Sequence, residues 1–178
     1  MAKHSVIISE GKLKKIKDEF FVDSNQLSEE LSLLAKNEKS DCVVRAFMAT
    51  LDISYESAHY WVKKYLNREN RKGTYTRKYI GNIIGKTKNY NRISIYGVSE
   101  KYKFGKLEKA KLLKNKNYKK KNVSYTVKSF METHPKGKYV LIVKGHALGL
   151  VNGVLYGNKD EQYKGFKRTI QYVIKVGK

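Results

Sequence analysis

The strongest constraint on the fold is the dipeptide Asn152-Gly153, which lies between two apolar stretches near the C-terminal end. Asn-Gly readily adopts the positive φ angles of a type I′ turn, which joins adjacent antiparallel strands. The flanking stretches 146–151 and 154–156 are therefore predicted to form a β-hairpin. If the two turn residues are unpaired, the numbers of the paired residues sum to 305.

Helical periodicity dominates the first part of the chain and strand-like patterns dominate the last part. The predicted helices are Lys12–Phe21, one capped by Asp23 or Ser24, one that begins at Cys42, one capped by Ser54, a short one around Tyr79–Ile84, and one capped by Ser124. The further predicted strands are His4–Ser9, Arg92–Val98, Lys138–Val143 and Arg168–Val176. Helices followed by antiparallel strands predict an α+β fold.

The length of 178 residues fits a single domain over 1–178. Within it, 1–39 is predicted to be an N-terminal helical segment. The periodic pattern weakens in the range 67–122, which is interpreted as a basic insertion within the domain.

Positive charge is concentrated in the middle of the chain. The net charge is +22, and residues 63–121 contribute 20 basic and 3 acidic side chains. Such a segment attracts polyanions, of which nucleic acid is the commonest, although a lysine-rich surface also arises in low-GC genomes. No base-reading motif is evident, so binding would be independent of sequence. The candidate contact residues are Lys114, Lys116, Lys119, Lys120 and Lys121.

The single cysteine excludes an internal disulfide, and no ligand spacing predicts a zinc site or another cofactor. No apolar run approaches the ~20 residues that span a bilayer. The apolar run Val6–Ile8 is too short for a secretory signal. A cytoplasmic protein without a membrane partner is therefore expected.

Cys42 is predicted to open a helix whose N-cap is Ser40 or Asp41. A lone cysteine is more often a small buried residue than a nucleophile. However, the free amides and the dipole of a helix N-terminus stabilise a thiolate and lower its pKa. Cys42 is therefore a candidate nucleophile.

His146 begins the first strand of the predicted hairpin and is the candidate base. In the register that sums to 305, His146 is opposite Lys159, and Asn158 is one residue away. A polar side chain at this place can orient an imidazole through its second nitrogen. Asn158 is the first choice for this role and Asp160 the second.

Two blocks of the sequence resemble small papain-like cysteine peptidases of bacteria and phages. The stretch SDCVVRAF at 40–47, followed by SYE at 54–56, resembles their nucleophile helix. The stretch HPKGKYVLIVKGHA at 134–147, followed by VNGVLY at 151–156, resembles their base strand and hairpin. The resemblance implies a papain-like fold, with the Cys-bearing helix packed on a C-terminal antiparallel sheet.

The resemblance also implies a thiol protease or a related amidase or acyl transferase that needs no cofactor and acts on a peptide or protein substrate. Cys42 would be the nucleophile, His146 the base, and the Cys42 backbone amide part of the oxyanion hole. The family usually has Gln some six residues before the cysteine. Lys36 occupies that position, so the nearest side-chain amide for the oxyanion hole is Asn37.

The alternative hypothesis is a papain-fold phage protein without catalysis, whose basic face binds nucleic acid or a virion protein. The other histidines (His4, His59 and His134) are predicted to lie at the surface or at helix ends. Trp61 and Tyr65 are predicted to belong to the core. Arg45, one turn after the cysteine, either forms a structural ion pair or raises the local positive potential.

The basic segment predicts binding to polyanions. Retention on heparin or double-stranded DNA should fall steeply as salt increases, because each neutralised phosphate releases a counterion. Replacing Lys119, Lys120 and Lys121 by Gln should weaken retention on any DNA sequence. The control variant replaces three lysines at positions 12, 14 and 15, and should have a smaller effect. Retention that is insensitive to salt would contradict this prediction.

Overall fold

The computed structural model describes residues 20–82, 93–97 and 125–177. The predicted strand His4–Ser9, most of the predicted helix Lys12–Phe21, and His4 lie outside these ranges. So do the five candidate lysines between 114 and 121.

Six strands form one mixed sheet in the order β1-β5-β4-β3-β6-β2. All neighbours are antiparallel except β1 and β5, which are parallel. The strands are β1 Phe21–Asp23, β2 Ile93–Gly97, β3 Lys138–Val143, β4 His146–Val151, β5 Val154–Gly157 and β6 Ile170–Val176. The predicted α+β class is confirmed.

Helices cover both faces of this sheet within the described ranges. They are α1 Ser24–Leu31, α2 Leu33–Asn37, α3 Cys42–Leu51, α4 Tyr55–Leu66, α5 Thr76–Tyr79, α6 Val127–Thr133 and α7 Glu161–Lys164, with 3₁₀ turns at Ile80–Asn82 and Gly165–Lys167. One core lies between the sheet and α3 and α4 and includes Ala147. The second core lies on the opposite face, beneath α6, and includes Leu148 and Leu150.

The predicted hairpin and its register are confirmed over 149–151 and 154–156, but the pairing stops before the predicted pair of His146 with Lys159. Val151 pairs with Val154 and Gly149 with Tyr156, so the paired numbers sum to 305. Asn152 and Gly153 have φ angles of 48° and 82°, as a type I′ turn requires. The Asn152 side chain also accepts a hydrogen bond from the Gly137 amide at 3.0 Å, which ties the turn to the start of β3.

The helix α3 lies directly against β4. A Cβ atom at Gly149 would lie 3.3 Å from the carbonyl oxygen of Ala46 and 3.4 Å from Cβ of Ala49. Glycine at this position therefore permits the close approach of helix and strand. As predicted, α3 begins at Cys42, and Ser54 caps α4 by accepting from the Ser57 amide.

Several predicted element boundaries are wrong. Phe21 belongs to a strand, and Thr126 in place of Ser124 caps α6, where it forms a capping box with Ser129. The predicted second helix is divided at Ser32, which caps α2. Its apolar residues Leu31 and Leu34 are consequently exposed.

The range 67–122 contains residues that belong to the body of the domain. Ile80 is buried in the core beneath α4. Strand β2 extends the sheet by pairing with β6.

Trp61 is buried in the core between the sheet and α4, and Tyr65 packs against this core, as predicted. Within the described ranges, every helix is too short or too polar to cross a membrane.

Phe47 is fully buried and its ring centroid lies 4.8 Å from that of Trp61. Phe47→Ala should lower the free energy of unfolding by ~3–5 kcal/mol, because it leaves a cavity between α3 and α4. Urea denaturation measures the change. Tyr60, which is 65% exposed on α4, provides the control. If Tyr60→Ala cost as much as Phe47→Ala, the described core would be wrong.

Candidate active site

A cleft of about 1100 Å³ contains the predicted nucleophile and the predicted base. Cys42, His146 and Asn158 all line it, although they come from α3, the start of β4 and the segment after β5. The remaining lining includes Glu38, Asp41 and Arg45 together with residues from the 67–79 segment. The tertiary fold thus brings three sequence-predicted site residues to one cavity.

The N-cap of α3 is Asp41, but its side chain does not cap the helix. One carboxylate oxygen accepts from the Tyr55 hydroxyl at 2.5 Å and from Arg45 Nε at 2.8 Å. Since Asp41 is buried, these two donors satisfy a carboxylate that is removed from water. The first-turn amides of α3, including that of Cys42, therefore receive no side-chain cap from Asp41.

The pKa of the Cys42 thiol is raised, not lowered as expected from its position in the helix. Burial is the main cause, and the negative charge of Asp41 acts in the same direction. The backbone amides of Ala147 and Val43 and the charge of Arg68 oppose this shift. Desolvation therefore outweighs the helix N-terminus, and the resting form at neutral pH is the thiol.

The thiol reaches β4 at the Ala147 amide, one residue after His146. Alternation along β4 places Ala147 on the face that α3 covers and His146 on the opposite face, with Leu148 and Leu150. His146 nonetheless lines the cleft, as the first residue of the strand.

His146 is largely buried, and Nε2 has no hydrogen-bond partner among the described residues. Burial lowers the pKa of its imidazole, Arg168 lowers it further, and Asp160 opposes them. The ring is therefore neutral at pH 7. The nearest carboxylate oxygen to Nε2 is Oε1 of Glu161, at 4.0 Å.

The sequence analysis missed Glu161. It is buried at the start of α7, and its Oε1 accepts from Arg168 Nη2 at 2.6 Å. Asp160 and Glu161 followed by Lys164 are a charge pattern typical of a short helix. The helix is only one turn long, however, so no apolar periodicity predicts it from the sequence.

The three other predicted polar residues occupy different environments. Asn158 lines the cleft, and its carbonyl accepts from the Glu161 amide. No hydrogen bond links its side chain to His146 among the described residues. Asp160 is exposed and acts on His146 only through its charge. Asn37 is exposed, donates to the Leu33 carbonyl, and is not among the described residues that line the cleft.

A buried ion-pair network holds the loop that precedes Cys42. Glu38 accepts from Arg68 Nη2 at 2.7 Å and from the Arg71 amide at 2.8 Å, and His59 Nε2 lies 3.4 Å away. Arg68 also donates to the carbonyls of Lys39, Glu69 and Lys72. The network joins the two loops that form one wall of the cleft.

The remaining predictions for single residues have mixed outcomes. His59 is buried and belongs to the Glu38 network, so its prediction as a surface or helix-end residue is wrong. His134 does lie at a helix end, stacked on Phe130. Arg45 forms the structural ion pair, with Asp41 and at 3.7 Å with Glu29. Within the described ranges, no cluster of three metal-ligating side chains occurs.

Comparisons with protein-family models, curated proteins and solved structures each found no match to this chain. The resemblance to papain-like peptidases therefore depends on the two sequence blocks alone.

Glu38→Ala should lower the free energy of unfolding by ~3–5 kcal/mol, because it leaves the buried guanidinium of Arg68 without its carboxylate. Chemical denaturation measures this change. The matched control is Glu69→Ala, which breaks the exposed pair between Glu69 and Lys72 at 2.5 Å. That variant should change stability by less than ~1 kcal/mol. Equal effects of the two variants would contradict the structural role of Glu38.

Proposed function

We propose that this protein is a papain-like cysteine hydrolase that cleaves a peptide or amide bond. The observation that carries the proposal is that Cys42, at the first position of a helix, lines the same cleft as His146. The thiol contacts the strand that begins with this histidine. A cysteine and a histidine that line one cavity provide the two residue types that nucleophilic acyl transfer needs.

In the first step, His146 removes the thiol proton while Cys42 Sγ attacks the substrate carbonyl carbon. The carbonyl π pair moves to oxygen, and the backbone amide of Cys42, which receives no cap from Asp41, is a donor for this oxyanion. When the tetrahedral intermediate collapses, the C–N bond breaks and the imidazolium gives its proton to the departing amine.

In the second step, His146 removes a proton from water as the oxygen attacks the thioester. Collapse breaks the C–S bond, returns the proton to sulfur and releases the carboxylic acid. The cycle therefore consumes one water and needs no metal or redox partner. Because burial keeps Cys42 protonated at rest, removal of its proton by His146 is part of the attack.

Polyanion binding is the second candidate function, and the net charge of +22 favours it. In that case the protein contacts nucleic acid or a virion component through its basic segment. The two functions are compatible, since hydrolysis requires the Cys42 thiol and polyanion binding requires only positive charge. Cys42→Ala distinguishes them, because it should abolish hydrolysis and leave salt-dependent retention on DNA unchanged.

Alkylation by iodoacetamide tests the proposed pair, and Cys42 is the only cysteine, so every labelled thiol is Cys42. Without help from a base, the buried thiol of Cys42 should react more slowly at pH 7 than free cysteine does, because burial raises its pKa. If His146 acts as its base, His146→Ala should slow labelling at least tenfold, since general base catalysis typically contributes 10²–10⁴. Intact-protein mass spectrometry follows the reaction.

His134→Ala is the matched control, because His134 is stacked on Phe130 at the end of α6 and does not line the cleft. It should label at the wild-type rate. The proposal is wrong if wild type labels no faster than free cysteine and His146→Ala labels at the wild-type rate. Incubation with a mixture of unstructured peptides then identifies the scissile bond from the fragments that form. The Cys42→Ala variant should form none of them.

A further inference from the structure

We infer that Glu161 is a positioning residue for His146: its carboxylate accepts a hydrogen bond from Nε2–H and leaves Nδ1 as the basic nitrogen. This role deepens the proposed hydrolase function and rests on it for its catalytic meaning. Neither Asn158 nor Asp160, the residues that the sequence suggested, forms a hydrogen bond with Nε2 of this ring within the described ranges.

Geometry is the first support. Glu161 Oε1 lies 4.0 Å from His146 Nε2, and the two side chains are only 3% and 11% exposed. Both Nε2 and the second carboxylate oxygen, Oε2, are buried without a hydrogen-bond partner among the described residues. Unpaired buried polar atoms are costly, so a small side-chain movement that joins the carboxylate to Nε2–H satisfies two of them together.

Two glycines make room for Glu161 at this place. A Cβ atom at Gly157 would lie 3.2 Å from Cβ of Glu161 and 2.7 Å from Cδ2 of Leu148. A Cβ atom at Gly165 would lie 3.0 Å from Oε2 and 3.1 Å from Cβ of Glu161. The glutamate is therefore enclosed between the end of β5 and the turn after α7.

Arg168 supplies the counter-charge of the Glu161 carboxylate. Its Nη2 lies 2.6 Å from Oε1, and its Nη1 donates to the Lys144 carbonyl at 3.3 Å. The pKa of Glu161 is raised, because burial outweighs the opposing charge and hydrogen bond of Arg168. The oxygen nearer to His146 Nε2 is Oε1, which already holds the arginine, and Oε2 has no partner among the described residues. A rotation of the carboxylate would let one oxygen hold the arginine and the other accept from Nε2–H.

The alternative is an ion pair that only anchors α7. In that case Glu161 would have no influence on the His146 ring. The other charged groups around the pair are Asp160, which favours the imidazolium, and Lys164, which favours the carboxylate. A decisive experiment must therefore read the protonation of the ring, since stability falls in either case when a buried ion pair is broken.

The experiment is a ¹⁵N–¹H NMR titration of the histidine rings in the full chain, with His146 assigned from the spectrum of His146→Gln. In wild type, the Nε2–H tautomer should dominate above the pKa. In Glu161→Leu, which removes the acceptor oxygen, the share of that tautomer and the pKa of His146 should both fall. Asp160→Asn, which removes an exposed charge next to Glu161, should retain the wild-type tautomer.

A dominant Nδ1–H tautomer in wild type overturns the inference without any variant, so the inference stays falsifiable even if a Glu161 variant folds poorly. An unchanged tautomer population and pKa in folded Glu161→Leu also overturn it. The result is separable from the fate of the hydrolase proposal. If the His146 tautomer changes with Glu161 but His146→Ala leaves the rate of Cys42 alkylation unchanged, only the proposed function fails. If His146→Ala slows alkylation but the tautomer does not change with Glu161, only the role of Glu161 fails.

Discussion

The close packing of α3 on β4 is the contact on which the candidate site depends. Gly149 lets the helix backbone approach the strand, and Ala46 and Ala49 keep the facing surface of the helix small. A larger side chain at any of these positions would separate the two elements. Because α3 begins at Cys42 and β4 begins at His146, their contact brings the beginnings of the two elements to one cleft.

Buried ion pairs then define the walls of the cleft. Glu38 with Arg68 joins two loops, and Asp41 with Arg45 braces the start of α3. Ion pairs at such low exposure cost desolvation energy that hydrophobic residues would not. Glu38, Asp41 and Arg45 all line the cleft, so its wall carries buried charge.

The environment of Cys42 illustrates a competition between two electrostatic effects. The helix N-terminus favours a thiolate, whereas burial and the neighbouring Asp41 favour the thiol. Burial is the larger effect, since removing an anion from water costs more than one helix terminus returns. Catalysis at such a cysteine depends on an adjacent base, which gives the placement of the His146 ring its importance.

Local sequence patterns were sufficient for the hairpin register, the start of α3 at Cys42 and the α+β class, because each follows from a turn, a cap or a period within a few residues. They could not identify Glu161, which lies in a short turn without periodicity. They also could not reveal that Asn37 does not line the cleft. They also missed the burial of His59. These properties arise from contacts between distant segments: only the packed chain determines which side chains lose water and which charges meet, and therefore what partners His146 and Cys42 have.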